Sequence, residues 1–507
     1  MRKLAALFCT VAVALAAALP AHAAKDRLII ADQYDITSMD PIGHNDMPSY
    51  RACLHLYDKL ITRNVKNEIL PALAESWEFI SPMEYKFYLR KGVKFHNGEE
   101  MKAEDVAFSL MRATTDKGAK IRSYSQFVKD VKVVDDYTVV IELNTPNVAF
   151  FNSLSHSWAS VLSKKAVEAA GDDYGTLASP PVGTGPFKFL GWNKNDKYVL
   201  ERFDDFWGPK PAYKYLEVRS IPEAGNRTIE LETGGVDIAY PIVVNDLNRV
   251  AEHPGLELIQ KPACNIEYLG LNCAKPPFNN LVARRALSAA LDTVGMHRAV
   301  YERLGRNGSV PRSVVPGAVP YSINDECPEH VQDIELAKKL IAEAGIDGSV
   351  TLQLWTNERK ERQDMAQIIM AQLEELGLKC EIRVLEWGAY LNGLQDKKHD
   401  MFILGWSGAS IPDPNFAMSG ILESGAAANY TVFSDAEFDA AMQAGRRTPD
   451  GPERGEIYRR AQEIINEQIP MIFLHTNDNC VGIQSYVKGL EVGSNDSYDF
   501  RTVYFEE

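Results

Sequence analysis

Three tryptophans in similar surroundings are the residues best suited to bind a ligand. Trp355, Trp387 and Trp406 each follow or end a short, largely apolar segment. An indole ring has a broad apolar face that stacks against flat or aliphatic groups. A single tryptophan often covers a hydrophobic core, because this residue is mostly buried wherever it occurs. Three at corresponding positions predict an aromatic-walled pocket, which is a site for recognition and not yet for chemistry.

The segments that carry these tryptophans alternate between strand and helix patterns. We predict strands over residues 349–355, 378–385 and 401–404, with a helix over 362–376 and a helical turn over 389–394. Strands that alternate with helices form parallel sheets, and ligands of such sheets bind outside the carboxyl ends of the strands. The predicted fold class is therefore α/β, with the tryptophans at the ligand-binding edge of a sheet.

The remaining motifs do not indicate an enzyme. Residues 405–409 (GWSGA) approach a nucleophile elbow, but Ala409 replaces its second glycine. Residues 485–488 fit a Ser-x-x-Lys pattern without a Lys-Thr-Gly partner, and residues 182–186 lack the third glycine of a dinucleotide loop. The histidines and cysteines form no metal-binding motif. We predict no catalytic residues, no metal and no cofactor.

The amino terminus has the pattern of a secretory signal. Residues 1–23 combine two basic residues, an apolar run too short for a membrane span and an Ala-His-Ala cleavage site. The mature chain of 507 − 23 = 484 residues then has a net charge of 52 − 69 = −17. Such acidity argues against nucleic acid and anionic membrane surfaces as partners. We predict a periplasmic protein that is soluble after cleavage of the signal.

Six cysteines remain in the mature chain, which is too few for a fold built on disulfides. Cys264 and Cys273 bracket one extended segment, which would hold them roughly 30 Å apart at about 3.3 Å per residue. They are not expected to pair with each other. The sequence leaves the pairing open among Cys53, Cys264, Cys273, Cys327, Cys380 and Cys480.

Several motifs, in order and in spacing, resemble the large periplasmic solute-binding proteins of peptide, nickel and opine ABC importers, known as family 5. The resemblance covers essentially the whole mature chain. It is carried by PALAESWEF (71–79), FYLRKGVKFHNGE (87–99), AEDVAFSLMR (103–112), VGTGPFKFLGW (182–192), ERFDDFWG (201–208), YLGLNCAKPPFNN (268–280), ARRALSAALD (283–292), LEWGAY (385–390) and GWSG (405–408).

This resemblance implies a two-lobed clamshell with an extra subdomain inserted in the first lobe. The expected first lobe combines residues 24–63, 180–264 and 480–507, with 64–179 as the inserted subdomain. The expected second lobe is 265–479. Such a protein is expected to close as a monomer on a small-molecule or peptide ligand, and to deliver it to the transmembrane subunits of an ABC permease.

The charge anchors of the peptide-binding members are missing. The aspartate that pairs with a peptide's α-amino group in those members falls on Ala409, and a basic residue of the oligopeptide-binding members falls on Ile403. Residues 411–433 contain no histidine, which counts against nickel. The resemblance therefore favours a peptide-like or other small organic solute. A nickel or metal-chelate protein and an opine-type protein are the alternative, and a periplasmic hydrolase is the competing class.

We predict that polar recognition is spread over both lobes. Arg359 is expected to anchor a carboxylate, Asp46 or Asp413 to replace the acid missing at Ala409, and Trp355 to belong to the core. The full set of predicted ligand-binding residues is His44, Asp46, Tyr50, Trp158, Arg359, Trp387, Trp406, Ser407, Gly408, Ala409, Ser410 and Asp413.

Overall fold

The computed structural model of the chain describes residues 25–302, 308–346, 348–407 and 411–506. The predicted signal, together with Gly408, Ala409 and Ser410, lies outside these ranges. Among the helices that are described, none has the length and apolar character needed to cross a membrane.

The structure is a mixed α/β fold whose elements are numbered here in chain order. The strands are β1 Arg27–Asp32, β2 Ile61–Arg63, β3 Ile69–Pro71, β4 Ala74–Ser81, β5 Glu84–Leu89, β6 Val128–Asp135, β7 Thr138–Leu143, β8 Phe187–Asn193, β9 Lys197–Arg202, β10 Tyr215–Ser220, β11 Ile238–Ala239, β12 Leu256–Pro262, β13 Ile266–Leu271, β14 Thr351–Asn357, β15 Lys379–Leu385, β16 Met401–Trp406, β17 Met471–His475, β18 Asp478–Gln484, β19 Val487–Lys488, β20 Glu491–Val492, β21 Tyr498–Asp499 and β22 Tyr504–Phe505.

The α-helices lie mostly between the strands of the sheets. They are α1 Met47–Leu56, α2 Ala103–Thr114, α3 Arg122–Ser125, α4 Val148–Ser153, α5 Lys164–Ala170, α6 Ala224–Glu232, α7 Leu247–Ala251, α8 Leu281–Ala290, α9 Thr293–Val300, α10 Ile334–Ala344, α11 Lys360–Glu375, α12 Trp387–Gln395, α13 Pro414–Leu422, α14 Ala436–Arg447 and α15 Pro452–Gln468.

Three sheets form the framework. A seven-stranded sheet in the order β12-β18-β11-β1-β10-β9-β8 belongs to the first lobe, and a five-stranded sheet in the order β15-β14-β16-β13-β17 belongs to the second. A four-stranded antiparallel sheet, β4-β5-β7-β6, packs with α2 around a separate buried cluster. The hairpin β2–β3 straddles the predicted boundary at residues 63 and 64. The domain boundaries themselves remain a prediction.

The second-lobe sheet carries the tryptophan segments. Strand β14 runs parallel to β15 and β16, so the predicted parallel arrangement of these three strands is confirmed. Beyond β16 the sheet continues with β13 and β17 in antiparallel pairing. Strand β13 comes from much earlier in the chain, and it sets Ile266 opposite Trp406 and Glu267 opposite Gly405.

Two short connections link the two large sheets. The chain crosses through residues 263–265, between β12 and β13, and through residues 476–477, between β17 and β18. The connections contact each other, because the backbone N–H of Asn477 donates to the side chain of Asn265 at 3.0 Å and Thr476 donates to the Asn265 carbonyl at 2.6 Å. A pair of adjacent, short crossings is the arrangement that permits hinge closure of two lobes.

Candidate functional site

A cavity of about 600 Å³ lies where the lobes meet, and we call it the interlobe cavity. Its wall combines the loop before α1, part of the inserted subdomain, the connections between the lobes, the end of β16 and the carboxyl-terminal tail. The lining residues are His44, Asn45, Asp46, Met47, Tyr50, Lys120, Ile121, Tyr124, His156, Ala263, Cys264, Asn265, Trp406, Ser407, Asn479, Ser494, Asn495 and Asp496.

The loop before α1 places an acid at the cavity wall. Asp46 is the N-cap of α1 and accepts hydrogen bonds from the Ser49 backbone N–H at 2.9 Å and from the Thr37 hydroxyl. Such capping satisfies otherwise unpaired N–H groups at the helix start. Burial opposes the charge of Asp46, but the hydrogen bonds from Thr37 and Ser49 outweigh it and hold the pKa below the usual value. The loop therefore presents a fixed carboxylate to the cavity.

An aromatic stack forms the first-lobe side of the cavity. The ring centroids of Tyr50 and His156 are 4.7 Å apart, and those of Tyr124 and His156 are 4.8 Å apart with an interplanar angle of 27°. Burial is the main cause that lowers the pKa of His156 to about 3, so the imidazole is neutral at neutral pH. Three adjacent rings give this wall apolar faces with polar atoms at their edges.

Trp406 supplies the aromatic group on the opposite side. It ends β16, is half-buried, and its indole N–H donates to the Phe416 carbonyl at 3.3 Å. A side chain at position 420 would meet this ring, because a Cβ there would lie 2.8 Å from it, so Gly420 is needed for close packing. The helix α13 thus fixes the indole against the second lobe while Ser407 follows it at the cavity wall.

Asp413 does not line the interlobe cavity, so the suggestion that it replaces the missing acid remains a prediction. It is 1 % exposed, and Arg454 donates to both of its oxygens at 3.0 and 2.8 Å. Asn152 of the inserted subdomain donates to the same carboxylate at 2.7 Å. Asp413 also caps α13, whose first residue is Pro414. The charge of Asp413 is neutralised by Arg454 in a buried contact that also includes Asn152.

Arg359 is likewise engaged within the second lobe. Its guanidinium donates to Glu267 at 2.9 Å and to Glu361 at 3.2 Å, and Arg362 and Tyr301 donate to the same Glu267 carboxylate at 2.8 Å each. Burial disfavours the charge of Glu267, but the two arginines outweigh it and lower its pKa. Arg359 does not line the interlobe cavity, so its role as a carboxylate anchor remains a prediction.

The tryptophans fall into distinct environments. Trp355 lies within β14, is 4 % exposed and belongs to the second-lobe core, as predicted. Trp158 is 1 % exposed in the core of the inserted subdomain, so the structure does not place it at the cavity. Trp387 begins α12 and is 43 % exposed without lining the cavity. Of the three strand-end tryptophans, Trp406 alone faces the interlobe cavity.

The cavity therefore brings together a defined part of the predicted set. It gathers His44, Asp46, Tyr50, Trp406 and Ser407. It does not include Trp158, Arg359, Trp387 or Asp413, whereas Gly408, Ala409 and Ser410 lie outside the described residues.

Sequence reasoning missed the contribution of the carboxyl-terminal tail. Asp496 presents a second carboxylate at the cavity, where Arg51 donates to it at 2.8 Å. Its side chain is 39 % exposed, so the ion pair is open to solvent. The segment GSNDS that carries it has no periodic pattern, and only its polar, turn-forming composition marked it as a loop. Tyr124 and His156 were also missed, because single aromatic residues carry no positional signal.

The described residues include no arrangement typical of a metal site. Within the described ranges, no group of three or more His, Cys, Asp or Glu side chains is placed to hold a metal ion. The six cysteines of these ranges are free thiols, and Cys264, at the cavity wall, donates to the Ser494 hydroxyl at 3.1 Å.

Comparisons with known proteins agree with this architecture. Residues 68–429 match the family described as bacterial extracellular solute-binding proteins, family 5 Middle. The chain is 30 % identical over 484 residues to the dipeptide-binding protein of Escherichia coli, covering 89 % of each chain. It is 31 % identical over 491 residues to heme-binding protein A of Haemophilus influenzae, covering 89 % of this chain and 88 % of that one. The solved structure of HbpA2 from Haemophilus parasuis superposes with a TM-score of 0.87 at 26 % identity, covering 95 % and 100 % of the two chains.

Proposed function

The chain belongs to family 5 of the bacterial extracellular solute-binding proteins, and we propose that it is the periplasmic component of an ABC importer for a peptide-like or other small organic solute. In this proposal the protein is secreted through the signal at residues 1–23, acts as a monomer and delivers its solute to the permease. It catalyses no reaction. The relatives named above support solute capture, since one is a dipeptide-binding and the other a heme-binding protein.

The observation that carries the proposal is the aromatic cavity beside the two connections between the lobes. Closure about these connections would bring Trp406 toward the stack of Tyr50, His156 and Tyr124, and so bury a solute between them. Ligand sites with largely apolar walls and a few placed polar groups achieve selectivity in this way without covalent chemistry.

The charges at the cavity favour a solute with an amino group. Asp46 and the partly exposed Asp496, which is paired with Arg51, face the cavity from the first lobe, whereas Lys120, also at the wall, donates its ammonium group to the Gly43 carbonyl at 2.8 Å. A buried ammonium needs an acidic partner because an unpaired charge in a closed site is strongly unfavourable. We infer that the first lobe supplies this acid, in place of the one absent at Ala409.

The alternatives have less support. Neither curated relative is named for a nickel or an opine ligand. A hydrolase related by fold alone would need an activated nucleophile, and the serines at the cavity wall are Ser407 and Ser494, of which Ser407 belongs to the near-match to a nucleophile elbow.

Two experiments test the proposal. Native mass spectrometry of the protein purified from its host should show one small organic solute per chain, which can then be identified and titrated by calorimetry. Peptide and ester turnover should be absent in both the parent and the Ser407→Ala variant. Turnover by the parent that disappears in Ser407→Ala would replace the binding-protein interpretation with a hydrolase.

A further inference from the structure

A second cavity, of about 220 Å³, lies beside the first one and entirely on the first-lobe side; we call it the Lys59 cavity. The end of α1, the hairpin β2–β3, Trp207 and the tail enclose it. It shares Tyr50, His156 and Asn495 with the interlobe cavity, and none of the described residues between 208 and 490 lines it. A solute bound against Trp406 therefore need not extend into the Lys59 cavity.

Lys59 gives the cavity a buried positive charge. The residue is 6 % exposed, and within the described parts of the chain its ammonium group makes no hydrogen bond and no ion pair. A buried lysine is almost always paired, because taking an ammonium group out of water without a partner is strongly unfavourable. The lining of the cavity thus contains one cation that lacks its counterpart.

Arg63 adds a second donor. Its Nε donates to the Ser155 hydroxyl at 3.1 Å and its Nη1 to the Asn67 carbonyl at 2.6 Å, so the guanidinium is held in place. The remaining nitrogen, Nη2, is buried and has no hydrogen-bond partner among the described residues. A fixed guanidinium with an unused N–H₂ group is suited to an oxyanion.

Two of the three acids at the wall of the cavity are already engaged, and the third, Glu491, is exposed to solvent. Asp58 accepts from the Trp207 indole N–H at 2.8 Å and from the Thr184 hydroxyl at 3.2 Å. Asp499 is paired with Arg501 at 2.6 Å. Apart from the exposed Glu491, the charged groups at the wall that keep unused hydrogen-bonding capacity are therefore the donors Lys59 and Arg63.

We propose that the Lys59 cavity binds one small oxyanion of the carboxylate or phosphate class, with the Lys59 ammonium as its main contact and Arg63 as the second. The volume is that of about seven water molecules, at about 30 Å³ each, which is enough for such an ion. The anion would tie the hairpin β2–β3 to the first lobe. This hairpin also contacts the second lobe, because Asn67 donates to the Ala318 carbonyl at 3.0 Å.

Binding should depend on pH in the way that Lys59 titrates. Burial is the main cause that lowers the pKa of this lysine to about 8, and the nearby Asp58 opposes that effect only in part. Above this pH the ammonium loses its proton, so affinity for the anion should fall. The other titratable or charged groups that face the cavity are Tyr50, His55, Asp58, Arg63, His156, Glu491, Tyr498, Asp499 and Arg501.

Titration calorimetry of the mature chain with inorganic phosphate, repeated with acetate, tests the proposal. At pH 7 the parent should bind one of these ions saturably below about 10 mM, and Lys59→Met should weaken it by about tenfold or more. Arg63→Gln should cause a smaller loss of affinity, and this variant provides the test if Lys59→Met does not fold. Lys66→Met is the matched control, because Lys66 is an exposed lysine in the loop of the same hairpin and its loss changes the net charge equally.

Equal phosphate affinity in Lys59→Met and the parent would overturn the proposal, and so would a parent that binds neither ion. A phosphate titration in the presence of the solute of the interlobe cavity distinguishes two sources of the anion. Independent binding assigns the site to a free ion, whereas competition assigns it to an acidic end of the solute. Solute binding in the absence of phosphate is measured separately, so the site and the proposed transport function can fail independently.

Discussion

The two sides of the interlobe cavity differ in how they use charge. On the second-lobe side the charged groups nearest the tryptophan are neutralised internally, Asp413 by Arg454 and Arg359 by Glu267. On the first-lobe side Asp46 presents a carboxylate that makes no ion pair with a described residue, and Asp496, although paired with Arg51, is 39 % exposed at the cavity wall. The second lobe therefore offers an aromatic surface, whereas the first lobe offers both aromatic rings and charge.

This difference assigns separate tasks to the lobes. Stacking on Trp406 discriminates little between chemical groups, because any flat or aliphatic group is stabilised against an indole face. Charged hydrogen bonds discriminate more strongly, because a missing partner leaves a buried group unpaired. Selectivity for the solute should then come from the first lobe, and the second lobe should contribute affinity on closure.

The largest effect is expected from Asp413→Asn, which keeps a capping oxygen for α13 but removes the charge. Because Asp413 and Arg454 are each 1 % exposed, the variant leaves a buried arginine and should lose about 3–5 kcal/mol of unfolding free energy. Chemical denaturation measures the loss. Asp450→Asn is the control, since it removes the half-exposed partner of the same arginine and should cost less than about 1 kcal/mol. An Asp413→Asn protein that keeps its stability but no longer binds the solute would show that Asp413 belongs to the ligand site.

Lys59→Met should stabilise the protein at pH 7, in contrast to Asp413→Asn. The folded chain disfavours the charged lysine, whose pKa is lowered to about 8 by burial. Against about 10.4 in the unfolded chain, the penalty is about 3 kcal/mol below pH 8, and it disappears as the pH rises from 8 through 10.4. The stability difference between variant and parent should follow this course in parallel denaturation curves without phosphate. A difference that stays constant from pH 7 to 10.5 would mean that Lys59 is not a buried charge.

Trp406→Ala should weaken solute binding by about 1–3 kcal/mol and leave the fold intact, because this half-buried ring faces the cavity. Titration calorimetry with the identified solute measures the change. Trp387→Ala is the matched control, since it removes an exposed indole from the same lobe and should alter affinity little. Equal losses in the two variants would show that the cavity wall has been assigned wrongly.

Asp46→Asn and Asp496→Asn should reduce affinity by about 1–2 kcal/mol each if the solute carries an amino group. The cap of α1 survives in Asp46→Asn because the amide oxygen still accepts from Ser49, so stability should change little. The same titration on the N-acetylated solute should show no difference between either variant and the parent.

Arg359→Ala tests the smallest effect, since its guanidinium is already paired with Glu267 and Glu361. Affinity should change by less than about 1 kcal/mol unless closure releases the arginine to a solute carboxylate. If Arg359→Ala, Asp46→Asn and Asp496→Asn all bind like the parent while Trp406→Ala does not, the solute is held by stacking and backbone contacts alone. That result would remove the difference between the lobes.

Local patterns predicted the tryptophan-bearing strands well. Alternating residues in β14 and β15 and the apolar run of β16 were sufficient to place three parallel strands, whereas the family resemblance was needed to separate Trp355 from Trp406. The periodicity could not show that β13 would pair beside β16, because such pairing joins segments more than a hundred residues apart.

The partners of the charged residues could not be predicted from the sequence, for the same reason. Arg454 lies 41 residues from Asp413, and Glu267 lies 92 residues from Arg359, so no local pattern connected them. One signal was available and unused: Asp413 precedes Pro414, and an acid directly before proline is typical of a helix start. The burial of Lys59 had no counterpart in the sequence, where it sits within an ordinary amphipathic segment.

The most direct test is native mass spectrometry of the parent, Trp406→Ala and Trp387→Ala, each purified from the same host. The parent and Trp387→Ala should carry one small organic solute per chain, and Trp406→Ala should carry much less of the same solute at equal protein stability. Retention of the solute by Trp406→Ala at the parent's occupancy would contradict the assignment of solute binding to the interlobe cavity.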